Sequence, residues 1–321
     1  MSSLYVDRRG VEMRLDSGAI AFYENGVRAG TVPAAPLERI YLRGDVAMSS
    51  GLLGRLGQMG IGVIILSGRR AEPSLFLPRP HNDASLRVAQ TRLHLDAASA
   101  LAVARWFIRG KIGAQAALVE EWLEMRRGDR AALLHARSAL QNMAPQVSGK
   151  LDLDSLRGLE GAASAYHFKA LAAVLPASLG FSGRNRRPPR DPVNAILSLG
   201  YTLLMAEAAL AAHGHGFDPA IGFLHALDFG RPSFACDLAE PLRCVIDRFA
   251  WRLFSEQILR ARDFTQEKDG ACLLMKAARE HFYERVEEPL NEARKRLDGM
   301  LRAFREMILE VRDATSLPDR L

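Results

Sequence analysis

Gly68-Arg69-Arg70-Ala71-Glu72-Pro73-Ser74-Leu75-Phe76-Leu77-Pro78-Arg79-Pro80-His81-Asn82-Asp83 separates two parts of the chain with different hydrophobic periods. Proline locks φ and removes a backbone donor, so Pro73, Pro78 and Pro80 leave little room for a helix here. Upstream, Leu4-Tyr5-Val6, Met13-Arg14-Leu15 and Ile20-Ala21-Phe22 are short apolar segments, and Asn25-Gly26 is a type I′ hairpin signal before Val27. Leu37 to Leu42 supplies a further strand, Leu52, Leu53 and Leu56 follow a helical spacing after the candidate cap Ser50, and Gly60 to Leu66 reads as a buried strand. An antiparallel sheet with one short helix is expected.

Downstream the period lengthens. Helices are expected over roughly 86–108, 111–126, 129–143, 155–175, 193–212, 238–262, 270–285 and 288–312, all rich in Ala, Leu, Glu and Arg. The fold class is therefore α+β, with a small N-terminal β-rich domain (1–77), a linker (78–85) and a larger all-helical domain (86–321). Edges of a small sheet need covering, which suits the first domain to self-association.

Composition narrows the function classes. With 321 residues, 48% of them hydrophobic and 25% charged, the chain is globular and long enough for two cores. Its 43 Lys plus Arg against 37 Asp plus Glu give a net charge of +6, which permits a polyanionic partner. Asp7, Arg8 and Arg9 stand where a secretory signal would be apolar, and Glu207 interrupts the most apolar helix, so no membrane segment and a cytoplasmic location are expected. Cys236, Cys244 and Cys272 share no CxxC spacing, against a disulfide framework or a cysteine zinc site.

Reactive side chains concentrate in three places. Glu160 lies in Arg157-Gly158-Leu159-Glu160-Gly161-Ala162-Ala163, where Gly161 suggests close packing, although a solvent-facing helical glutamate fits equally. His225 ends Gly222-Phe223-Leu224-His225, and alone it reads as a satisfied core histidine as readily as a ligand. His213-Gly214-His215 closes an alanine-rich helix and reads as a surface cap or turn. In Asp237-Leu238-Ala239-Glu240-Pro241 the carboxylates can share one helix face, yet a capping box uses the same two groups without any chemistry. Two glutamates and an imidazole suit Mg²⁺ or Mn²⁺. Carboxylates about 4 Å apart repel by roughly 1 kcal/mol in water and roughly 4 kcal/mol at an effective dielectric of 20, which a bound cation would relieve.

Four blocks in this order carry a resemblance: Arg157 to Tyr166; Arg186-Arg187-Pro188-Pro189-Arg190-Asp191-Pro192-Val193-Asn194-Ala195 with Leu199-Gly200-Tyr201; Gly222 to His225; and Gly230-Arg231-Pro232-Ser233 with Asp237 to Pro241. Through them the chain resembles the CRISPR-associated spacer-acquisition integrase/endonuclease family over nearly its full length. The resemblance implies that Glu160, His225 and Glu240 are metal ligands for Mg²⁺ or Mn²⁺ and that Asp237 is a further acidic catalytic position. Many members have aspartate where this chain has Glu240. It also implies a homodimer, with two homodimers flanking a dimer of a small ferredoxin-like partner, and joining of protospacer 3′-hydroxyl ends to the leader-repeat region of the array.

Arg184, Arg186, Arg187 and Arg190 form the clearest basic patch, an expected phosphate-binding connection between helices, with Arg157 as a further DNA candidate or an internal salt-bridge partner. Lys111 and Arg126-Arg127 are weaker DNA candidates, because their helices also carry Glu120, Glu121 and Glu124. Tyr201, Phe181 and Phe223 are expected to pack the scaffold. A metal-dependent DNA repair or degradative nuclease is the competing enzyme class, and a non-catalytic DNA-binding assembly protein the competing non-enzyme class.

Overall fold

In a computed structural model, the structure describes residues 2–68, 71–78, 84–126, 128–185 and 188–315, with the side chains of residue 2 and of 310–315 outside the description. Arg127, Arg186 and Arg187 lie outside the described residues, as do 79–83 of the expected linker. The chain forms two compact units, Met1–Asn82 and Asp83–Leu321.

The first unit is built from β1 (Ser2–Asp7), β2 (Val11–Asp16), β3 (Ala19–Glu24), β4 (Val27–Pro33), β5 (Leu37–Arg43), β6 (Val46–Met48), α1 (Ser50–Gln58), β7 (Gly62–Ser67) and β8 (Glu72–Phe76). Asn25 and Gly26 both have positive φ, 51° and 80°, as the expected hairpin turn requires. In place of one antiparallel sheet there are two mixed four-stranded sheets, ordered β1-β5-β7-β8 and β4-β3-β2-β6. β1 pairs parallel with β5, β5 with β7, and β2 with β6. Parallel neighbours need a long crossover, supplied here by β2 to β4 in one case and by β6 with α1 in another. The cap of α1 is Ser49, whose side chain accepts from the Leu52 N–H, and not Ser50. Met13, Ile20, Ile40, Leu56, Ile61 and Val63 form the centre of the core. β8 occupies part of the proline-containing segment, with Pro73 on an edge strand where its missing donor is tolerated.

The second unit contains α2 (Ala84–Leu95), α3 (Ala97–Glu124), α4 (Arg130–Met143), α5 (Leu153–Val174), α6 (Pro192–Gly214), α7 (Ser233–Ala239), α8 (Arg243–Ser255), β9 (Phe264–Gln266), β10 (Cys272–Leu274) and α9 (Lys276–Thr315). The expected break near residue 110 falls instead at Asp96, which caps α3 by accepting from Ser99 N–H at 2.8 Å. Gly110 lies inside α3, where a methyl would come within 3.3 Å of Pro241, so the glycine serves close approach of two segments. The expected helix at 238–262 is divided into the end of α7, a tight 3₁₀ turn at Glu240–Leu242, and α8. The two helices expected at 270–285 and 288–312 are one, with Pro289 inside α9, while Cys272–Leu274 pairs with Phe264–Gln266 as a short hairpin.

α6 is long and apolar enough to cross a membrane by composition, yet 72% of its apolar window is buried within this unit. Its Glu207 is 1% exposed and takes a 2.6 Å ion pair from Arg294 on α9. A buried acid of this kind is tolerated because its partner supplies both charge and donors. Beneath the reactive segment, Phe217, Phe223, Phe234 and Phe304 pack edge to face or tilted at centroid distances of 5.1 to 5.9 Å.

Candidate active site

The stretch from Asp218 to His225 has no regular structure, so its backbone polar groups must find partners elsewhere. α2 supplies some. Gln90 donates to Asp218 O and Ile221 O at 3.0 and 2.9 Å and accepts from Asp218 N–H at 2.9 Å, while His94 Nδ1 lies 2.6 Å from Gly222 O. α5 supplies another: Arg157 donates through Nε and Nη2 to Leu224 O at 3.1 and 2.7 Å. Gly222 has no room for a side chain, since a Cβ would lie 2.7 Å from Ser233. The segment is thereby held against α7.

Asp237, fully buried in α7, completes the holding. Its Oδ2 accepts from the N–H groups of Phe223 and Leu224 at 2.6 and 3.1 Å. Its Oδ1 accepts from His225 N–H at 3.0 Å and faces His225 Nδ1 at 2.6 Å. Both oxygens are thus committed, and the capping-box reading of Asp237 with Glu240 is overturned: Asp237 terminates the backbone of another segment. With Nδ1 facing Asp237, Nε2 is the ring nitrogen of His225 turned toward Glu240, 3.9 Å from its Oε1.

Glu240 begins the 3₁₀ turn and its side chain is 5% exposed. Arg243 contacts Oε1 at 2.8 Å and Lys111 Nζ contacts Oε2 at 2.5 Å. Burial pushes the Glu240 carboxyl up, but the charges of Arg243 and Lys111 and their hydrogen bonds overcome it and hold the group far below the carboxylate range. Glu160, in the middle of α5 and partly buried, takes a hydrogen bond from the same Lys111 ammonium and another from Ser164 Oγ at 2.9 Å. Two carboxylates therefore converge on one buried cation, with an imidazole nitrogen beside them.

Two sequence expectations change here. Gly161 has nothing within 4 Å of a Cβ position, so it marks no close packing. Lys111 is not a DNA-facing residue; it is 5% exposed and lies between Glu160 and Glu240. Sequence reasoning missed this because Lys111 lies 49 residues from Glu160, while the signal that could have found it, Gly110 beside a lysine within a helix, gains meaning only once Pro241 is known to pack there.

A scan against family models matches residues 4–288 to the family described as CRISPR associated protein Cas1. The chain belongs to the Cas1 family. It is 37% identical over 98% of its length, and all of the relative's, to a CRISPR-associated endonuclease Cas1 of Thermodesulfovibrio yellowstonii. It is 34% identical, over 86% of this chain and 81% of the other, to one from Thermus thermophilus. Among solved structures, a Cas1 protein from Thermotoga maritima shares the fold at a TM-score of 0.84 and 20% identity, covering 96% of this chain and 97% of its own. A casposase bound to its integration product shares it at 0.79 and 21% identity, covering 91% and 83%.

Around this Cas1 centre lies a second polar cluster. His167, Cys244 and Asp247 offer ligand atoms within 4.8 Å of one another and form, by proximity, a candidate metal-binding cluster consistent with divalent-metal use. Their present bonds are those of a structural network: Asp247 accepts from His167 Nε2 at 2.8 Å and from the Tyr201 hydroxyl. Burial pushes the Cys244 thiol well above its usual range, so it stays protonated, whereas a thiol binds metal as thiolate. Burial, then the charge of Asp247, raises the Tyr201 phenol in the same way. As expected, Tyr201 and Phe223 pack the scaffold, at 8% and 3% exposure. His215 caps α6 and pairs with Asp298 at 3.0 Å, which matches the turn reading of His213-Gly214-His215.

Of the basic patch, Arg184 and Arg190 lie among the described residues. Arg184 donates to Asn194 Oδ1 at 2.7 Å and Ser198 Oγ at 3.0 Å and lies over the Tyr201 ring with Arg243. Arg190 is exposed. Arg157 orders the His225 segment and also pairs with Asp154 at 2.9 Å. Arg184, Ser198, Tyr201, Cys236 and Arg243 line a cleft of about 210 Å³.

Proposed function

We propose that this chain is the metal-dependent DNA integrase and endonuclease of CRISPR adaptation, joining the 3′-hydroxyl ends of a protospacer to the leader-repeat region of an array. In strand transfer the hydroxyl oxygen bonds to phosphorus as one phosphodiester bond breaks, so no nucleotide cofactor is consumed. Hydrolysis at the same phosphate uses water in place of the hydroxyl and accounts for endonuclease activity.

The observation that carries the site is the convergence of Glu160 and Glu240 on one buried ammonium, with His225 Nε2 3.9 Å from Glu240. This donor set, two carboxylates and an imidazole nitrogen, fits Mg²⁺ or Mn²⁺, and the carboxylates already share a cation. We assign Glu160, His225 and Glu240 to hold the ion. When bound, it supplies positive charge to polarise a phosphate oxygen and stabilise negative charge developing there. Asp237 fixes the tautomer and orientation of His225, Arg157 and Gln90 hold the chain that carries it, and Arg243 keeps Glu240 ionised. His225 is assigned as a ligand and not as a general base. The cluster at His167, Cys244 and Asp247 supports the floor of this site through Tyr201.

Arg184, Arg186, Arg187 and Arg190 are assigned to the DNA backbone, which supplies affinity without reading sequence. The first unit, proposed as residues 1–77 with a linker at 78–85 before the catalytic part at 86–321, would pair two copies of the chain. Support comes from the exposed edge strand β4, where Val27 is 71% exposed. Two such dimers flanking a dimer of a small ferredoxin-like partner would complete the assembly, a reading supported by the likeness of this fold to part of a chain in a solved Cas6-RT-Cas1–Cas2 complex.

The test uses purified protein, linear DNA with 3′-hydroxyl ends and a supercoiled target carrying a leader and repeat. Covalently joined products that require Mn²⁺ or Mg²⁺ and the small partner support integration. Cleavage without joining would replace that reading with a degradative or repair nuclease, and binding without metal-dependent chemistry with an assembly protein.

A further inference from the structure

The chain between His225 and the buried Ser233 forms an ordered loop whose tip is apolar. Ser233 Oγ donates to Ala226 O at 2.8 Å, and the Arg231 guanidinium donates to the same carbonyl. Arg231 N–H donates to Asp228 O at 3.1 Å, closing a β-turn over Asp228-Phe229-Gly230-Arg231 in which Gly230 has φ +73°. Arg231 also pairs with Asp228 at 3.4 Å. Phe229 sits at the tip of this turn with a relative exposure of 105%, the highest among the exposed large hydrophobic residues described, and Leu227 is 57% exposed. A phenyl ring carried into water on a braced turn loses apolar burial and gains nothing within the chain.

We propose that Phe229 is a stacking platform for an unpaired nucleobase of the DNA strand whose phosphate is at Glu160, His225 and Glu240, a proposal that rests on the DNA-integrase reading above. Three observations favour a base over a protein partner. First, Phe229 follows His225 by four residues, so their Cα atoms are at most about 14 Å apart. A separation of that size corresponds to a few nucleotides of a strand, which places the ring near the reacting phosphate. Second, the apolar surface is one ring and one leucine, bordered by the ion-paired Asp228 and Arg231, far smaller than the continuous patch a protein interface needs. A single ring matches the area of one base, and every base has a π face to offer. Third, the bracing by Ser233 and Arg231 fixes the backbone that carries the ring, so little backbone freedom is lost when a base docks.

The experiment measures DNA affinity of the full chain in EDTA, by fluorescence anisotropy, so that chemistry does not enter. The probes are a duplex with unpaired 3′ nucleotides, a fully paired duplex, and overhang duplexes with one abasic site moved through the last four nucleotides. Parent, Phe229→Ala and Phe229→Trp are compared, and strand transfer by the parent is measured first. A parent that neither binds nor joins DNA refutes the integrase reading itself and is recognised at that stage. The expected result is a roughly 5- to 100-fold loss of overhang affinity in Phe229→Ala, recovered in Phe229→Trp, with paired-duplex affinity unchanged. At one overhang position an abasic site should weaken the parent and leave Phe229→Ala unaffected. Equal overhang affinity of parent and Phe229→Ala overturns the proposal. So does a loss that no abasic position reproduces, or an effect of Phe229→Ala confined to molecular mass in light scattering, which assigns the ring to a contact between protein chains.

Discussion

Asp237 holds His225 by both its backbone and its ring, through one carboxylate oxygen 3.0 Å from the backbone nitrogen and 2.6 Å from Nδ1. The other oxygen takes the two preceding N–H groups. One buried side chain therefore sets the path of the segment and the direction in which the imidazole presents its free nitrogen. Geometry of this kind makes Asp237 a positioning residue, with its own oxygens already occupied.

Asp237→Asn tests that role. An amide has one acceptor oxygen and adds two donors, so at least one of the buried N–H groups loses its partner, at about 1–3 kcal/mol. The expected outcome is a lower Tm together with a 10- to 100-fold weaker Mn²⁺ affinity by calorimetry, the range for loss of an orienting partner. Unchanged Mn²⁺ affinity would leave Asp237 a purely structural residue.

Lys111→Met removes the cation shared by Glu160 and Glu240 while keeping the stem. Breaking a buried ion pair by deleting one partner costs about 3–5 kcal/mol, so the variant should melt well below the parent in EDTA. Because the carboxylates would then face each other, added Mn²⁺ should raise its Tm by more than it raises the parent's. Equal Tm of the two proteins in EDTA would contradict the contact.

Two glycines should respond in opposite directions. Gly161→Ala meets open space on an exposed helix position and should stabilise by up to about 1 kcal/mol. Gly222→Ala drives a methyl to within 2.7 Å of Ser233, which should destabilise by about 1–3 kcal/mol and displace His225, reducing strand transfer. Thermal melts of both variants check the signs.

The acid limb of stability should carry the signature of Glu240. Its carboxyl is held below its ordinary value of 4.5 in the fold, so its contribution is fully present above about pH 4.5 and is lost as pH falls through the lowered value. In EDTA, the Tm gap between parent and Glu240→Gln should be constant from pH 7 to about 4.5 and narrow only below it. A gap that closes between pH 7 and 5 would show that the lowered value is wrong.

Cys244→Ala separates the two polar clusters. The thiol is buried and protonated, so its loss should leave Mn²⁺ affinity within about twofold of the parent, while Glu160→Gln should lower it at least tenfold. A large loss in Cys244→Ala alone would move the metal to the cluster with His167 and Asp247.

The division at the proline-containing segment, the hairpin at Asn25-Gly26 and most helices were legible because each rests on local signals of backbone geometry or apolar period. The parallel pairings of β1, β5 and β7 were not, since strand direction depends on which distant segment lies alongside. The division expected between 285 and 288 is absent: α9 runs through it and accommodates the donor missing at the half-buried Pro289. In the site, Glu160, His225 and Glu240 were named from residue type and family resemblance. The cation between the carboxylates was invisible, because it required α3 to approach the turn after α7 across Gly110. The reading of Asp237 as a cap for its own helix failed for a related reason: a short acid near a helix start caps whichever N–H groups lie closest, and here they belong to Phe223, Leu224 and His225.

The central claim is that Glu160, His225 and Glu240 hold one divalent ion at the place where Lys111 now joins the two glutamates. The most direct measurement is anomalous scattering from crystals of the full chain soaked in Mn²⁺. The account predicts one manganese peak ligated by a carboxylate oxygen of each glutamate and by Nε2 of His225, with Lys111 displaced. A peak among His167, Cys244 and Asp247, or glutamates still bridged by Lys111 at saturating Mn²⁺, would contradict it.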